Sequence, residues 1–255
     1  GTPNYPSANI GKTETSGIDV NFGYQTDQSK DVSFATNISF TTTDNLVKEI
    51  ANGDKYIWGA GYGIPYNNLV RFQEGESPGI FWGYIADGIF QNQSEVDSHA
   101  TQPNAQPGDI RFVDVNGDGV VNADDRTKIG DPFSDFQIGW DFNLSVYNFD
   151  LSVRTYGTFG NDIFRGYERN LNYTNKPVSI LARWTGEGTS NFEPRATFID
   201  SNNNVRPSTR YVEDGSYFKI KNVQVGYNFN VSNSKSLDAV RPVSYTHLRA
   251  HETPA

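Results

Sequence analysis

The most restrictive feature of the chain is a pair of alternating runs. Phe136, Ile138, Trp140, Phe142, Leu144 and Val146 take every second position, and after Tyr147-Asn148 the pattern resumes at Phe149, Leu151, Val153 and Thr155. A period of two gathers these side chains on one face of a β-strand. The residues between them on the first run, Gln137, Gly139, Asp141, Asn143 and Ser145, are all small or polar. Two strands of about ten residues joined by a tight turn, apolar on one face only, form the repeating unit of a transmembrane β-barrel. A β-sandwich with a solvated outer face alternates in the same way, and the polar interleaving favours the wet lumen of a barrel over it.

The same period recurs elsewhere. Ile18, Val20, Phe22 and Tyr24 alternate, then Val32, Phe34, Thr36, Ile38 and Phe40, and Thr26 to Asp31 between them is turn-forming, so the two runs predict an antiparallel hairpin. Tyr217 to Phe229 alternates with a slip of phase near Asn222, which a β-bulge would reconcile. No apolar run approaches the roughly 18 residues of a membrane-spanning helix. With 14 Tyr, 17 Phe and 24 Gly but only 36% hydrophobic residues, the composition also suits strands and turns rather than helices. Long polar connections, Asn45 to Ser77, Gln91 to Asp109 and Asn170 to Asp214, separate the strand units. The expectation is an all-β, antiparallel transmembrane β-barrel segment, a partial barrel with long extracellular loops.

Several function classes are excluded or disfavoured. The absence of Cys removes disulfides, thiolate metal sites and Cys nucleophiles. A net charge of −9 provides no basic stripe, so no nucleic-acid partner is expected. There is no Met and no charged-then-apolar leader, and the chain reads as a piece of a longer protein. Residues 1–241 are assigned to the barrel. Residues 242–255, with Val243-Ser-Tyr-Thr-His-Leu-Arg-Ala-His-Glu-Thr253, resemble a translated transposase sequencing adapter and are set apart as a non-native tail. That leaves His99 as the sole native His, with no nucleophile motif and no phosphate-cradling loop, so no catalytic residue is assigned and an enzyme is not expected.

One segment carries chemistry. In Asp114-Val-Asn-Gly-Asp-Gly-Val-Val-Asn-Ala-Asp-Asp125, oxygen donors fall at the alternate positions of a Ca²⁺-binding loop. Asp114, Asn116, Asp118, the Val120 carbonyl, Asn122 and Asp125 are the candidate ligands, and Gly119 stands where the backbone must reverse. Asp instead of Glu closes the loop, and no helix pattern precedes it. The plain alternative is a pair of tight turns in an exposed loop, with no ion bound.

The order of motifs around this loop resembles the SusC/RagA family of TonB-dependent transporters. The matching pieces are Gly83-Tyr-Ile-Ala-Asp-Gly-Ile-Phe-Gln91, Pro107-Gly-Asp-Ile-Arg-Phe-Val-Asp-Val-Asn-Gly-Asp-Gly119, Asp125-Arg-Thr-Lys-Ile-Gly-Asp-Pro132, Arg183-Trp-Thr185, Pro194-Arg195 and Val212 to Tyr227. The resemblance implies a bacterial outer-membrane location facing lipid. It also implies a SusD-like surface lipoprotein and TonB as partners, and an oligosaccharide or peptide as transported nutrient. Trp140 and Phe142, on the apolar face of a strand, are then lipid-facing or girdle residues, and Trp58 and Trp82 belong to an interfacial girdle or a core. The competing reading is a Ca²⁺-dependent secreted β-sandwich or dockerin-like binding module, in which Trp58 and Trp82 would stack on sugars. A dockerin-type module needs two copies of the loop, and the chain has one.

Overall fold

In the computed structural model, residues 11–59, 68–166, 178–229 and 240–246 are described. His247 and His251, in the segment set apart as a tail, lie outside them. The strands run in chain order β1 (Gly11–Gln25), β2 (Val32–Ile50), β3 (Tyr56–Trp58), β4 (Val70–Gln73), β5 (Ile80–Gly83) and β6 (Ala86–Ile89). A short helix α1 (Gln93–Ser98) precedes β7 (Ile110–Phe112), β8 (Thr127–Gly130), β9 (Phe136–Val146), β10 (Phe149–Phe159) and β11 (Asp162–Phe164). β12 (Val212–Asp214), β13 (Tyr217–Tyr227) and β14 (Val243–Thr246) follow.

The chain divides into two compact units. The first to consider comprises Thr15–Asp44, Phe133–Asn161 and Gly215–Ala255. It is built on a sheet in the order β1-β2-β9-β10-β13-β14, and the pairings of β2 with β9, β9 with β10 and β10 with β13 are antiparallel. Val32, Val146, Phe149 and Tyr227 share one row at the end of the short turns, while Thr42, Phe136 and Phe159 share a row at the other. Both long excursions, from β2 to β9 and from β10 to β13, therefore leave and re-enter at that second end. The expected hairpin of β1 and β2 forms, with the Thr26 amide donating to the Phe34 carbonyl at 2.9 Å. β2 continues to Ile50, well into the stretch that the sequence assigned to a connection.

The expected bulge is present on β13. Asn222 pairs with Arg154 and Ile220 with Thr155, which leaves Lys221 without a partner residue across the ladder. The extra residue returns Ile220 and Val223 to one face although they are three apart in sequence. β14 sits in the opposite phase. Its Ser244 and Thr246 pair with Val225 and Val223 in the apolar rows, and Tyr245 pairs with Gln224.

This sheet has no apolar core of its own. Every buried hydrophobic side chain among the described residues belongs to the other unit, while Ile18, Phe22, Trp140, Phe149 and Val225 on the sheet remain 63%, 63%, 38%, 57% and 45% exposed. Among the described residues of this unit, one contiguous apolar face is thus left without a cover, far beyond the scattered apolar residues of an ordinary soluble surface.

The second unit comprises Gly1–Glu14, Asn45–Pro132 and Asp162–Asp214. Its short strands form a sheet in the order β3-β4-β5-β8 and the pairs β6-β7 and β11-β12. Ile110, Phe112 and Val121 are buried with Tyr84, Ala86 and Ala100 against them. The described parts of this unit are therefore short paired strands with a hydrophobic centre rather than structureless connections.

Candidate functional site

Two features could serve function: the loop from Asp114 to Asp125 and the two-faced sheet. In the loop, Gly117 and Gly119 adopt φ of +74° and +86°, the left-handed region that reverses the chain at little cost only for glycine. Asp114 accepts from the amides of Gly117 and Gly119, both at 2.8 Å. The Asn116 side chain accepts from the Asp118 amide and Asp118 from the Val120 amide, again at 2.8 Å, and Asn122 accepts from the Asp124 amide at 2.7 Å. These are successive Asx turns.

Asp125 behaves differently from the half-buried Asp114 and the exposed Asp118. It is fully buried, and its two oxygens accept from the amides of Val115 at 2.9 Å and Asn122 at 2.7 Å, so it ties the two ends of the loop together. The same contact completes a capping box on the turn Ala123–Asp125. The donor set has the hard-oxygen chemistry of a Ca²⁺ site, yet among the described residues no group of three or more acidic or His side chains comes together in a way that could hold a metal. Asp125 is thus engaged by main-chain amides at both ends of the loop. His99 is likewise occupied, with Nε2 2.9 Å from the Phe112 carbonyl oxygen and its ring against Phe90.

The sheet presents opposite chemistry on its two faces. On the apolar face Ile38 lies opposite Trp140 and Thr36 opposite Phe142, with Val153 and Val223 continuing the row of Phe142. Two of the polar groups there are satisfied within the sheet. The Trp140 indole donates to Thr36 Oγ1 at 2.8 Å, and Thr155 Oγ1 donates to the Trp140 carbonyl at 3.1 Å. A strand facing hydrocarbon needs this, because no water is at hand to take such groups. On the other face, Asn37, Asp141, Arg154 and Asn222 form one row, with Arg154 Nε 2.8 Å from Asp141 Oδ1. Tyr156 donates to Gln137 at 2.8 Å on the same face.

The comparisons with known proteins bear on this arrangement. No protein-family model matches the chain. A TonB-dependent receptor of Formosa agariphila is 29% identical over 231 residues, covering 86% of this chain and 22% of that protein. A second receptor of the same organism is 33% identical over 175 residues, covering 67% of this chain and 18% of the relative. The TonB-dependent receptor SusC of Bacteroides thetaiotaomicron is 24% identical over 224 residues, 87% of this chain and 21% of SusC. A solved RagAB peptide transporter superposes with a TM-score of 0.68 at 17% identity over 92% of this chain and 25% of its own. The chain belongs with the TonB-dependent receptors of the SusC/RagA type.

The chain thus spans about a quarter or less of the length of these receptors. As in the RagAB fold, it is an antiparallel piece of barrel wall, and the uncovered apolar face is what a receptor wall turns to lipid. Sequence reasoning located the Asx loop and both faces of β9. It missed the buried polar cluster around Asp109, because Arg195 and Asn204, its main partners, lie far along the chain.

Proposed function

We propose that this receptor segment is part of a non-catalytic outer-membrane importer that takes up an oligomeric nutrient, a glycan or a peptide, with energy delivered through TonB and with a SusD-like surface lipoprotein as partner. The observation that supports this reading best is the sheet itself. It is apolar and uncovered on one side and polar on the other, with short turns at one end and both long excursions at the opposite end. A β-sandwich would need a second sheet over Ile18 and Trp140, which stay 63% and 38% exposed.

The test is uptake. Deleting the receptor from its host should abolish growth on one class of oligomer, and deleting TonB should do the same while growth on monomers persists. Unchanged growth of the receptor deletion on every glycan and peptide oligomer supplied to the host would overturn the proposal.

A structural Ca²⁺ in the loop is the second reading, favoured by the spacing of Asp114, Asn116 and Asp118 and by Gly119 at its φ of +86°. On this reading calorimetry of the receptor detects Ca²⁺ uptake that Asp114→Ala combined with Asp118→Ala removes. Uptake that survives the double substitution, or none in the unaltered receptor, leaves the loop as the self-tied turn its hydrogen bonds describe.

A further inference from the structure

Two arginines, one on the small sheet β3-β4-β5-β8 and one immediately before β8, lie among aromatic rings of that sheet. Arg71 on β4 lies directly across from Trp58 on β3. Its guanidinium carbon is 3.6 Å from the centre of the Tyr56 ring and 3.8 Å from that of the Trp82 ring. Arg126 lies 4.9 Å from the Trp58 ring. It donates to the carbonyls of Trp82, at 2.9 Å, and Asn68.

Neither arginine has a carboxylate partner among the described residues. Of the eight other described arginines, six, Arg111, Arg154, Arg165, Arg195, Arg210 and Arg241, each have one. In a chain with 30 acidic and 21 basic residues, two neighbouring guanidiniums left without an anion stand against the overall charge. Their Nε atoms are buried without acceptors. Burial pushes both groups below the ordinary arginine range, and for Arg126 the nearby charge of Arg71 adds to this.

Two rings against one guanidinium restrict its orientation, and a planar fork matches an oxyanion by two parallel hydrogen bonds. Tyr56 remains 41% exposed, and Trp58 and Trp82 are half-buried, so ring surface stays open beside the cations. A ligand that uses both is an apolar-faced ring bearing an anionic group.

We propose that Tyr56, Trp58, Arg71, Trp82 and Arg126 form a binding site for an acidic sugar, with Arg71 holding its carboxylate or sulfate group and the aromatic rings its pyranose face. This rests on the importer reading above and narrows its nutrient to anionic glycans.

The experiment is isothermal calorimetry of the receptor in detergent at low salt, with heat-modifiable gel mobility as the control for folding. The probes are a galacturonate trimer, a sulfated galactose trimer, a neutral galactose trimer and a glutamate tripeptide. The expected result is binding of the galacturonate or the sulfated trimer, which of the two identifying the anionic group, and no binding of the neutral trimer. Arg71→Gln should weaken binding about tenfold, and Arg71→Lys should recover only part, since it keeps the charge without the fork. Equal binding of the neutral trimer, no binding of either acidic trimer, an affinity unchanged in Arg71→Gln, or binding of the glutamate peptide alone each overturns the proposal. If Arg71→Gln does not assemble, Arg71→Lys and the unaltered receptor decide, because an affinity indifferent to salt also overturns it. Failure here leaves TonB-dependent uptake of another nutrient intact. Loss of TonB dependence strikes the importer reading without touching the binding result.

Discussion

Phe142→Arg should destabilise the membrane-inserted receptor by about 2 to 4 kcal/mol, the cost of a cation on the lipid face near the bilayer midplane. Phe142 stands near the centre of β9, between Thr36 on one neighbouring strand and Val153 on the other, on the face left without a cover among the described residues of its unit. The matched control is Asn143→Arg, one residue along and on the polar face, where it pairs with Ala35 and Ser152. That substitution should stay within about 0.5 kcal/mol. Urea unfolding in lipid vesicles, followed by heat-modifiable gel mobility, measures both. Equal stability of the two variants would mean that this face is not turned to lipid.

The second large effect is expected from Asp109→Ala, at about 3 to 5 kcal/mol, because it leaves a partly buried guanidinium without its counter-charge. Asp109 is 1% exposed. It accepts from Arg195 at 2.8 and 3.1 Å, from Asn204 at 3.1 Å and from the Gln106 amide at 3.0 Å. Around it Asn204 accepts from the Ile110 amide at 2.7 Å, and Gln102 accepts from the Phe112 amide at 2.9 Å. The cluster therefore joins residues near 102–112 to residues near 195–204 through a buried polar seam whose members satisfy one another. Hydrogen exchange at the amides of Ile110 and Arg195 reports its opening. Replacing both members, Asp109→Leu with Arg195→Met, should restore part of the protection, since no buried charge is then left alone. Protection unchanged in Asp109→Ala would show that the seam does not hold these segments.

The membrane and loop features differ in how far the amino-acid order alone specifies them. Alternation makes the strands of the wall legible, because period two is a property of the backbone and needs no knowledge of partners. The slip of phase at Asn222 is legible for the same reason, and the structure resolves it as the unpaired Lys221. The reversal from Asp114 to Gly119 is equally local, being made of side chains that bond amides two to five residues away. The role of Asp125 was not legible from the spacing. Its position suggests a ligand, and what only the structure adds is that its carboxylate is buried and accepts from the amides of Val115 and Asn122.

What the sequence by itself determined is therefore the local geometry: where strands run, which side chains share a face, where the chain turns, and a motif order that resembles one receptor family. Only the tertiary structure decided that, among the described residues, the apolar face of the sheet has no cover within its unit, that the second unit has short sheets and a core of its own, and that Arg71 stacks on Tyr56 and Trp82 with no carboxylate beside it. The physical reason is range. Backbone periodicity and Asx turns are set within a few residues, whereas burial and charge pairing depend on segments brought together from distant parts of the chain, as Asp109 is with Arg195 across 86 positions.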